Sequence, residues 1–222
     1  MSPLVRLLTS SIGRKLLMGA TGLLLIGFLV VHLSGNLLLF VGPAAFNEYS
    51  HALVSNHLIY LAELALLLLF VLHFAIGIAL TRANAAARPA GYATRRRAGH
   101  TSNKSLASTT MIVSGLVVLV FVPLHLWTFK FGAWYESAES PGVRDLYRLV
   151  IEVFRDPLHV AWYVVAMVVI GFHLSHGFAS GLESLGVASR PPIRSFSRAL
   201  AVVIAGGFAL IPIVLFLGGG RS

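Results

Sequence analysis

The chain of 222 residues has no cysteine and little charge, since Asp, Glu, Lys and Arg make up only 11% of it. The lack of cysteine excludes disulfides, cysteine-ligated iron–sulfur clusters, thiolate metal sites and covalently attached c-type haem. Dinucleotide-binding and phosphate-loop motifs are also missing from the sequence. Any flavin or iron–sulfur chemistry in which this chain takes part must therefore be carried by another polypeptide.

Long apolar runs dominate the sequence, which is 57% hydrophobic. Several of these runs reach the roughly 20 residues needed to cross a bilayer. Because the backbone must satisfy its own hydrogen bonds in hydrocarbon, such runs predict helices. We expect an all-α, multi-pass membrane protein that forms one transmembrane domain over residues 1–222. The predicted bundle has five transmembrane helices, at about 16–41, 58–80, 106–129, 158–179 and 199–217.

The segments between the runs differ in character. The basic head, residues 1–15, resembles the start of a signal peptide, but the apolar run after it is too long and lacks a cleavage site, so we expect an uncleaved first helix. Residues 42–57 are predicted to be a loop, and residues 143–154 a short amphipathic helix at the membrane interface. We find no internal repeat in the sequence.

The 17 Lys and Arg residues are distributed unevenly, and the net charge is +9. Twelve of them lie in the head and in the basic segments 81–105 and 182–198, all on one predicted side. Five lie on the other side: Lys130, Arg144, Arg148, Arg155 and Arg221. The positive-inside bias puts the N-terminus in the cytoplasm and the C-terminus outside. The charge thus indicates topology and a surface that attracts anionic membrane lipid, not nucleic acid.

Four of the predicted helices each carry a histidine in the apolar run. His73 and His173 both lie fifteen residues from the outer end of their helices, about 22 Å deep at 1.5 Å per residue. His32 and His125 lie about 24–28 Å from the inner end of theirs. The four histidines therefore divide into an inner pair, His73 with His173, and an outer pair, His32 with His125.

This arrangement indicates haem ligation. Ionisable residues within a membrane are costly and are candidates for function, and helical bundles build cofactor sites from side chains on facing helices. Two imidazoles fill both axial positions of a haem iron, and two such haems make an electron path across the bilayer. We predict that the inner and outer pairs each ligate one iron. Zinc suits two-histidine sites without a carboxylate poorly.

Neighbouring residues agree with this prediction. Gly77 and Gly177 follow the inner histidines by four residues and would leave room for a porphyrin plane; close helix packing is the alternative explanation. His176, one turn after His173, is a second candidate for the axial ligand, or a partner for a haem propionate.

Five sequence features, taken in order, resemble the single-chain, five-helix cytochrome b subunits of succinate:quinone oxidoreductases, that is, succinate dehydrogenase or fumarate reductase. They are SSIGRKLLMGATG, HLSGN, the lone His73, PLHLWTFKFG and GFHLSHGFASGLESLG. The resemblance implies two b haems on the pairs named above, in a multi-pass subunit of the bacterial cytoplasmic membrane. It also implies a flavoprotein and an iron–sulfur subunit on the cytoplasmic face, and a quinone that is usually menaquinone. The resemblance leaves open whether the complex forms a higher oligomer.

The resemblance also suggests where quinone binds. For the inner side the candidates are Ser11, Arg14 and Lys15, with topogenic charge and a helix cap as the alternative. For the outer side we favour Glu48 over His51, His57 and Glu63. Lys130 is a candidate partner for a propionate of the outer haem, unless it only extends to the interface. Some relatives carry a glutamate for transmembrane proton transfer where this chain has Gly171, so we expect no such path here.

Two other functions remain open from the sequence. One is a cytochrome b subunit of a formate dehydrogenase, a hydrogenase or a nitrate reductase. The other is a haem-free, proton-coupled transporter that uses the histidines as relays. The lack of repeats, and of buried Asp, Lys or Arg in the runs, weighs against the transporter.

Overall fold

A computed structural model describes residues 10–86, 110–188 and 190–218 of the chain. These residues fold into α-helices joined by turns and, at 131–145, by a longer irregular segment. Five of the helices are long and apolar enough to cross a membrane, which confirms the predicted all-α, five-span architecture. In chain order the helices are α1 (Ser11–Asn36), α2 (Pro43–Ser55), α3 (Leu58–Ala86), α4 (Met111–His125), α5 (Leu146–Val153), α6 (Pro157–Ser184) and α7 (Pro191–Gly218).

The spanning helices extend beyond their apolar cores. Ser10 caps α1, its Oγ accepting a hydrogen bond of 3.0 Å from the Gly13 N–H, so the helix begins five residues before the predicted start. Asp156 caps α6 in the same way through the Leu158 N–H, at 3.0 Å. Hydropathy marks the lipid-facing part of a helix, whereas capping side chains decide where it starts.

The first and third spans end in turns that are not α-helical. A 3₁₀ turn, Leu37–Phe40, continues α1. A π-helical turn, Leu126–Lys130, continues α4, three residues after Pro123. Proline removes a backbone donor and disturbs regular helical bonding, and π-turns often lie at functional sites. This π-turn begins at the residue directly after His125.

Two short helices connect the spans on the predicted outer side. The prediction of a loop at 42–57 was wrong, because residues 43–55 form α2. Gly42 starts it with a φ of +136°, a conformation that favours glycine, and Pro43 occupies the first helical position. Helix α5 lies within the predicted amphipathic segment 143–154.

Asn47 joins these two short helices. It is 3% exposed, and its Nδ2 donates to Asp145 Oδ1 at 2.8 Å. Its Oδ1 accepts a bond of 2.9 Å from the Tyr147 N–H. Asp145 is also the N-cap of α5, so one buried amide fixes α2 to the start of α5.

Helix α6 is the centre of the bundle and packs against α7, α1 and α4. It packs tightly against α1 at two glycines. A Cβ on Gly19 would lie 2.8 Å from the carbonyl oxygen of Gly181 and 3.0 Å from Cβ of Ser184. Small residues let helix backbones approach closely within membranes. This crossing brings α1 and α6 close enough for both to line the same interior.

We predict that Gly19→Ala destabilises the bundle by about 1–3 kcal/mol, the usual cost of overpacking. The added methyl group would meet a backbone oxygen, which cannot turn aside. Thermal unfolding of the protein in detergent measures the effect. The matched control is Gly27→Ala on the same helix, where a Cβ meets no atom within 4 Å. Equal unfolding midpoints for the two variants would contradict the packing explanation.

Part of the charge that underlies the predicted topology lies outside the described residues. The basic segment 81–105 is described only as far as Ala86, and the head only from residue 10. The orientation of the termini therefore stays a prediction.

Candidate functional site

The outer pair consists of His32 on α1 and His125 at the end of α4. Their ring centres are 5.9 Å apart and their planes are at 89°. His32 stacks on Phe28 at 5.2 Å and faces Phe208 of α7 at 5.6 Å. Both imidazoles are half-buried, and side chains of α1, α4, α6 and α7 lie around them.

The inner pair consists of His73 on α3 and His173 on α6. Their ring centres are 6.4 Å apart and their planes are at 67°. Both rings are half-buried. The structure thus brings together the same two pairs that the depth argument predicted. The role of these histidines as ligands stays a prediction.

The distances within the pairs suit one metal ion between two imidazoles. With metal–nitrogen bonds of about 2 Å, and about 1 Å more from each nitrogen to its ring centre, the ring centres lie about 6 Å apart. The described residues contain no group of three or more His, Asp or Glu that could hold a metal ion. An ion held here would need further ligands from a non-protein group, as the porphyrin of a haem supplies.

Open space lies beside the inner pair. A Cβ on Gly177, four residues after His173, would meet no atom within 4 Å. On Gly77, four residues after His73, it would meet only Cε of Met18, at 3.5 Å. These glycines therefore leave room for a flat group beside the imidazoles, and the residues present fit a haem.

Two hydroxyl groups contact the inner pair. Thr21 Oγ1 on α1 lies 3.0 Å from Nδ1 of His73. Ser114 Oγ on α4 lies 2.9 Å from Nδ1 of His173. Sequence reasoning missed both residues, because each contacts a histidine on another helix. The only sequence signal is an isolated hydroxyl residue within a hydrophobic run.

Aromatic side chains, and not aliphatic hydroxyls, surround His125 of the outer pair. Nδ1 of His125 lies 3.3 Å from the Tyr163 hydroxyl, and the His125 ring lies 5.6 Å from Phe121 and 5.4 Å from Phe129. The aromatic rings exclude water from this side of the pair.

Trp162 adds an unused donor near this cluster. Its indole N–H is buried and has no hydrogen-bond acceptor among the described residues. The indole lies 6.3 Å from Phe121. A buried donor without an acceptor is costly, and a carboxylate or carbonyl oxygen of a bound group would relieve that cost.

His176 lies one turn beyond His173 and is half-buried. The ring contact with His73 is made by His173, as the depth argument predicted. The role of His176 towards a propionate stays a prediction.

The three residues predicted for the inner quinone site do not all line one cleft in the structure. Lys15 lines a cleft of about 400 Å³ between α1, α3 and α6. Ser11 is exposed and Arg14 half-buried at the start of α1, and neither lines this cleft. Sequence reasoning did not select the other lining residues, which are Met18, Leu80, Asn84, Ser180, Glu183 and Ser184.

Lys130 at the end of the π-turn forms an ion pair with Glu63 of α3. Glu48 is exposed on α2. The chain after the π-turn is held by Arg144, which donates to the carbonyl oxygen of Ala133 at 2.8 Å and of Gly132 at 3.1 Å. Burial lowers the pKa of Arg144. The structure thus connects Glu63, not Glu48, to the segment that follows His125.

Five membrane-crossing helices define the chain as a multi-pass helical membrane protein. The chain is similar to the succinate dehydrogenase cytochrome b558 subunit of Bacillus subtilis (strain 168). The two are 23% identical over 179 residues, which cover 80% of this chain and 81% of that subunit. This similarity confirms the resemblance to cytochrome b subunits of succinate dehydrogenase that the sequence motifs indicated. No family model matches the chain, and no solved structure matches it.

Proposed function

We propose that this chain is the dihaem cytochrome b membrane anchor of a succinate dehydrogenase or fumarate reductase. In this function it carries electrons between an iron–sulfur subunit and membrane quinone. The observation that carries the proposal is the pair of imidazole contacts, with ring centres 5.9 Å and 6.4 Å apart, on four different helices. The similarity to a cytochrome b558 subunit supports the same function independently.

The four histidines would hold two b haems. A haem bound by two imidazoles supplies one-electron transfer and has no open position for oxygen. The protein's part is to present the ring nitrogens and to exclude water. The small residues beside the inner pair and the aromatic cluster beside the outer pair serve these ends. Axial ligands, burial and nearby hydrogen bonds are the features through which a protein sets a haem potential.

The two pairs lie at different levels of the membrane. Thr21 of α1 contacts His73, and His32 lies eleven residues further along the same helix. At 1.5 Å per residue this places the outer pair about 16 Å from the inner one. Such a separation suits electron transfer across the bilayer from one pair to the other.

The inner cleft is where we place a quinone near the iron–sulfur partner. Lys15 and Glu183 both line it, and they provide a cation and a carboxylate for proton exchange with a quinone oxygen. On the outer side, Glu48 remains the candidate for quinone and Lys130 for a propionate. A flavoprotein and an iron–sulfur subunit would dock on the cytoplasmic face of a bacterial cytoplasmic membrane, and the quinone would be menaquinone.

Haem quantitation and reduced-minus-oxidised spectra of the purified complex test this function. We expect two b haems per chain, and we expect subunits that oxidise succinate to co-purify. The absence of a b-type band, or one haem per chain, would reject the dihaem proposal. Formate, hydrogen or nitrate enzymes as co-purifying partners would reject the assignment to a succinate enzyme.

A further inference from the structure

Helices α1 and α4 share a short motif. It reads Thr-Gly-Leu at residues 21–23 of α1 and Ser-Gly-Leu at 114–116 of α4. The outer ligands follow each hydroxyl residue by eleven positions, at His32 and His125. Eleven residues make slightly more than three helical turns, so the hydroxyl and the histidine lie on one face, about 16 Å apart.

Each copy of the motif contacts the inner histidine of the next spanning helix. Thr21 contacts His73 on α3, and Ser114 contacts His173 on α6. The motif glycines lie against the same rings. A Cβ on Gly22 would be 3.1 Å from Cε1 of His73. The corresponding distance for Gly115 and Cε1 of His173 is 3.8 Å. Helices α1 and α3 therefore repeat the arrangement of α4 and α6, a correspondence that the sequence alone did not reveal.

Both hydroxyls also lie within hydrogen-bond distance of a backbone carbonyl on their own helix. Thr21 Oγ1 donates to the carbonyl oxygen of Leu17 at 2.7 Å. Ser114 Oγ donates to the carbonyl oxygen of Met111 at 3.0 Å. A hydroxyl has one proton. With that proton in the backbone bond, each oxygen is free to accept from an imidazole N–H.

An imidazole that donates from Nδ1 has its other nitrogen, Nε2, free to bind a metal. Partners of this kind fix the tautomer and the ring orientation, and they raise the basicity of the ligand. Thr21 is only 3% exposed and Ser114 only 5%, so water does not replace these acceptors. In hydrocarbon an N–H without an acceptor is costly.

We propose that Thr21 and Ser114 are positioning residues for the inner haem, each accepting the Nδ1–H of one inner ligand. This inference rests on the proposed function, because it assigns roles around the same histidines. In this arrangement α1 and α4 each ligate the outer haem and at the same time set the properties of the inner one.

The variants Thr21→Val and Ser114→Ala test the proposal by redox titration of the two haems in the purified complex. Each variant removes an acceptor, which lowers ligand basicity and so destabilises the oxidised iron. At a fixed solution potential, we expect the reduced-to-oxidised ratio of the inner haem to rise by up to about tenfold. Tenfold corresponds to about 59 mV for a one-electron couple. The affinity for the inner haem should fall by roughly 10–100-fold. The outer haem should keep its potential.

Conservative variants separate hydrogen bonding from packing. Thr21→Ser and Ser114→Thr retain the hydroxyl and should retain the wild-type inner potential and haem content. If Thr21→Val loses the inner haem entirely, retention of that haem by Thr21→Ser still supports the proposal. If Thr21→Ser loses it as well, packing and not the hydrogen bond is responsible, and the proposal is wrong.

The matched control is Thr81→Val. Thr81 lies on the same helix as His73, and its hydroxyl bonds the Gly77 carbonyl oxygen at 2.8 Å, but it is exposed. The Thr81→Val variant should retain both haems and their potentials. Unaltered inner potentials in Thr21→Val and Ser114→Ala, in a complex that still binds two haems, would overturn this inference alone. A wild-type complex without b haem would instead overturn the proposed function.

Discussion

We expect His173→Ala to lower the haem content from the proposed two per chain to one, with the inner haem lost. The ring of His173 is the one that faces His73, at 6.4 Å between centres, and alanine offers no nitrogen to the iron. The remaining imidazole cannot supply both axial bonds. Haem quantitation and low-temperature spectra, which resolve the two haems, measure the loss.

The neighbouring His176 provides the control for this prediction. His176→Ala removes an imidazole from the same helix, one turn away, and should leave two haems bound. If His176→Ala loses the inner haem while His173→Ala keeps it, the ligand assignment is wrong. His73→Ala should reproduce the result of His173→Ala, since both remove a ligand of the same iron.

We expect His32→Ala to remove the outer haem and to leave the inner one in place. His32 faces His125 at 5.9 Å, and it lies eleven residues along α1 from the contact with the inner pair. We expect one haem per chain with the inner potential retained. Electron transfer that depends on the outer haem should be lost. Redox titration together with haem quantitation separates these effects.

An exposed histidine serves as the control for this second prediction. His159 near the start of α6 is exposed and pairs with Asp156. His159→Ala should retain both haems and their potentials. Loss of both haems in His32→Ala would contradict the separation into two sites, and would suggest that α1 fails to pack without this ring.

The pairing of the histidines could be predicted because depth in a membrane follows from position along a helix. Helix rise and the direction of each span place His73 level with His173, and the structure has those rings in contact. No tertiary information was needed, since a lipid bilayer leaves each helix little freedom along its normal.

The surrounding residues could not be predicted in the same way. Thr21 and Ser114 contact histidines of other helices, and rotation about each helix axis decides which side chains meet. When a helix is apolar on all sides, its sequence pattern does not show which face points into the bundle. For the same reason the shared motif of α1 and α4 went unrecognised. It fixes only a hydroxyl, a glycine, a leucine and a histidine within twelve residues.

The loop prediction for residues 42–57 failed for a different reason. Helix α2 is short and mixed in polarity, and its anchor is the single buried amide of Asn47. Its stability depends on contacts with α5, about 100 residues away in sequence. Local patterns carry little information about such a helix, since short helices owe most of their stability to tertiary packing.

The sequence by itself determined the class of this protein, its five spans and the grouping of its four membrane histidines. These follow from hydropathy and helix rise, which are properties of each segment alone. The tertiary structure decided which hydroxyls contact the inner imidazoles, where glycines leave space beside them, and which acidic residue pairs with Lys130. These features depend on the rotation and crossing of neighbouring helices, which are set by close contacts such as Gly19 against Gly181.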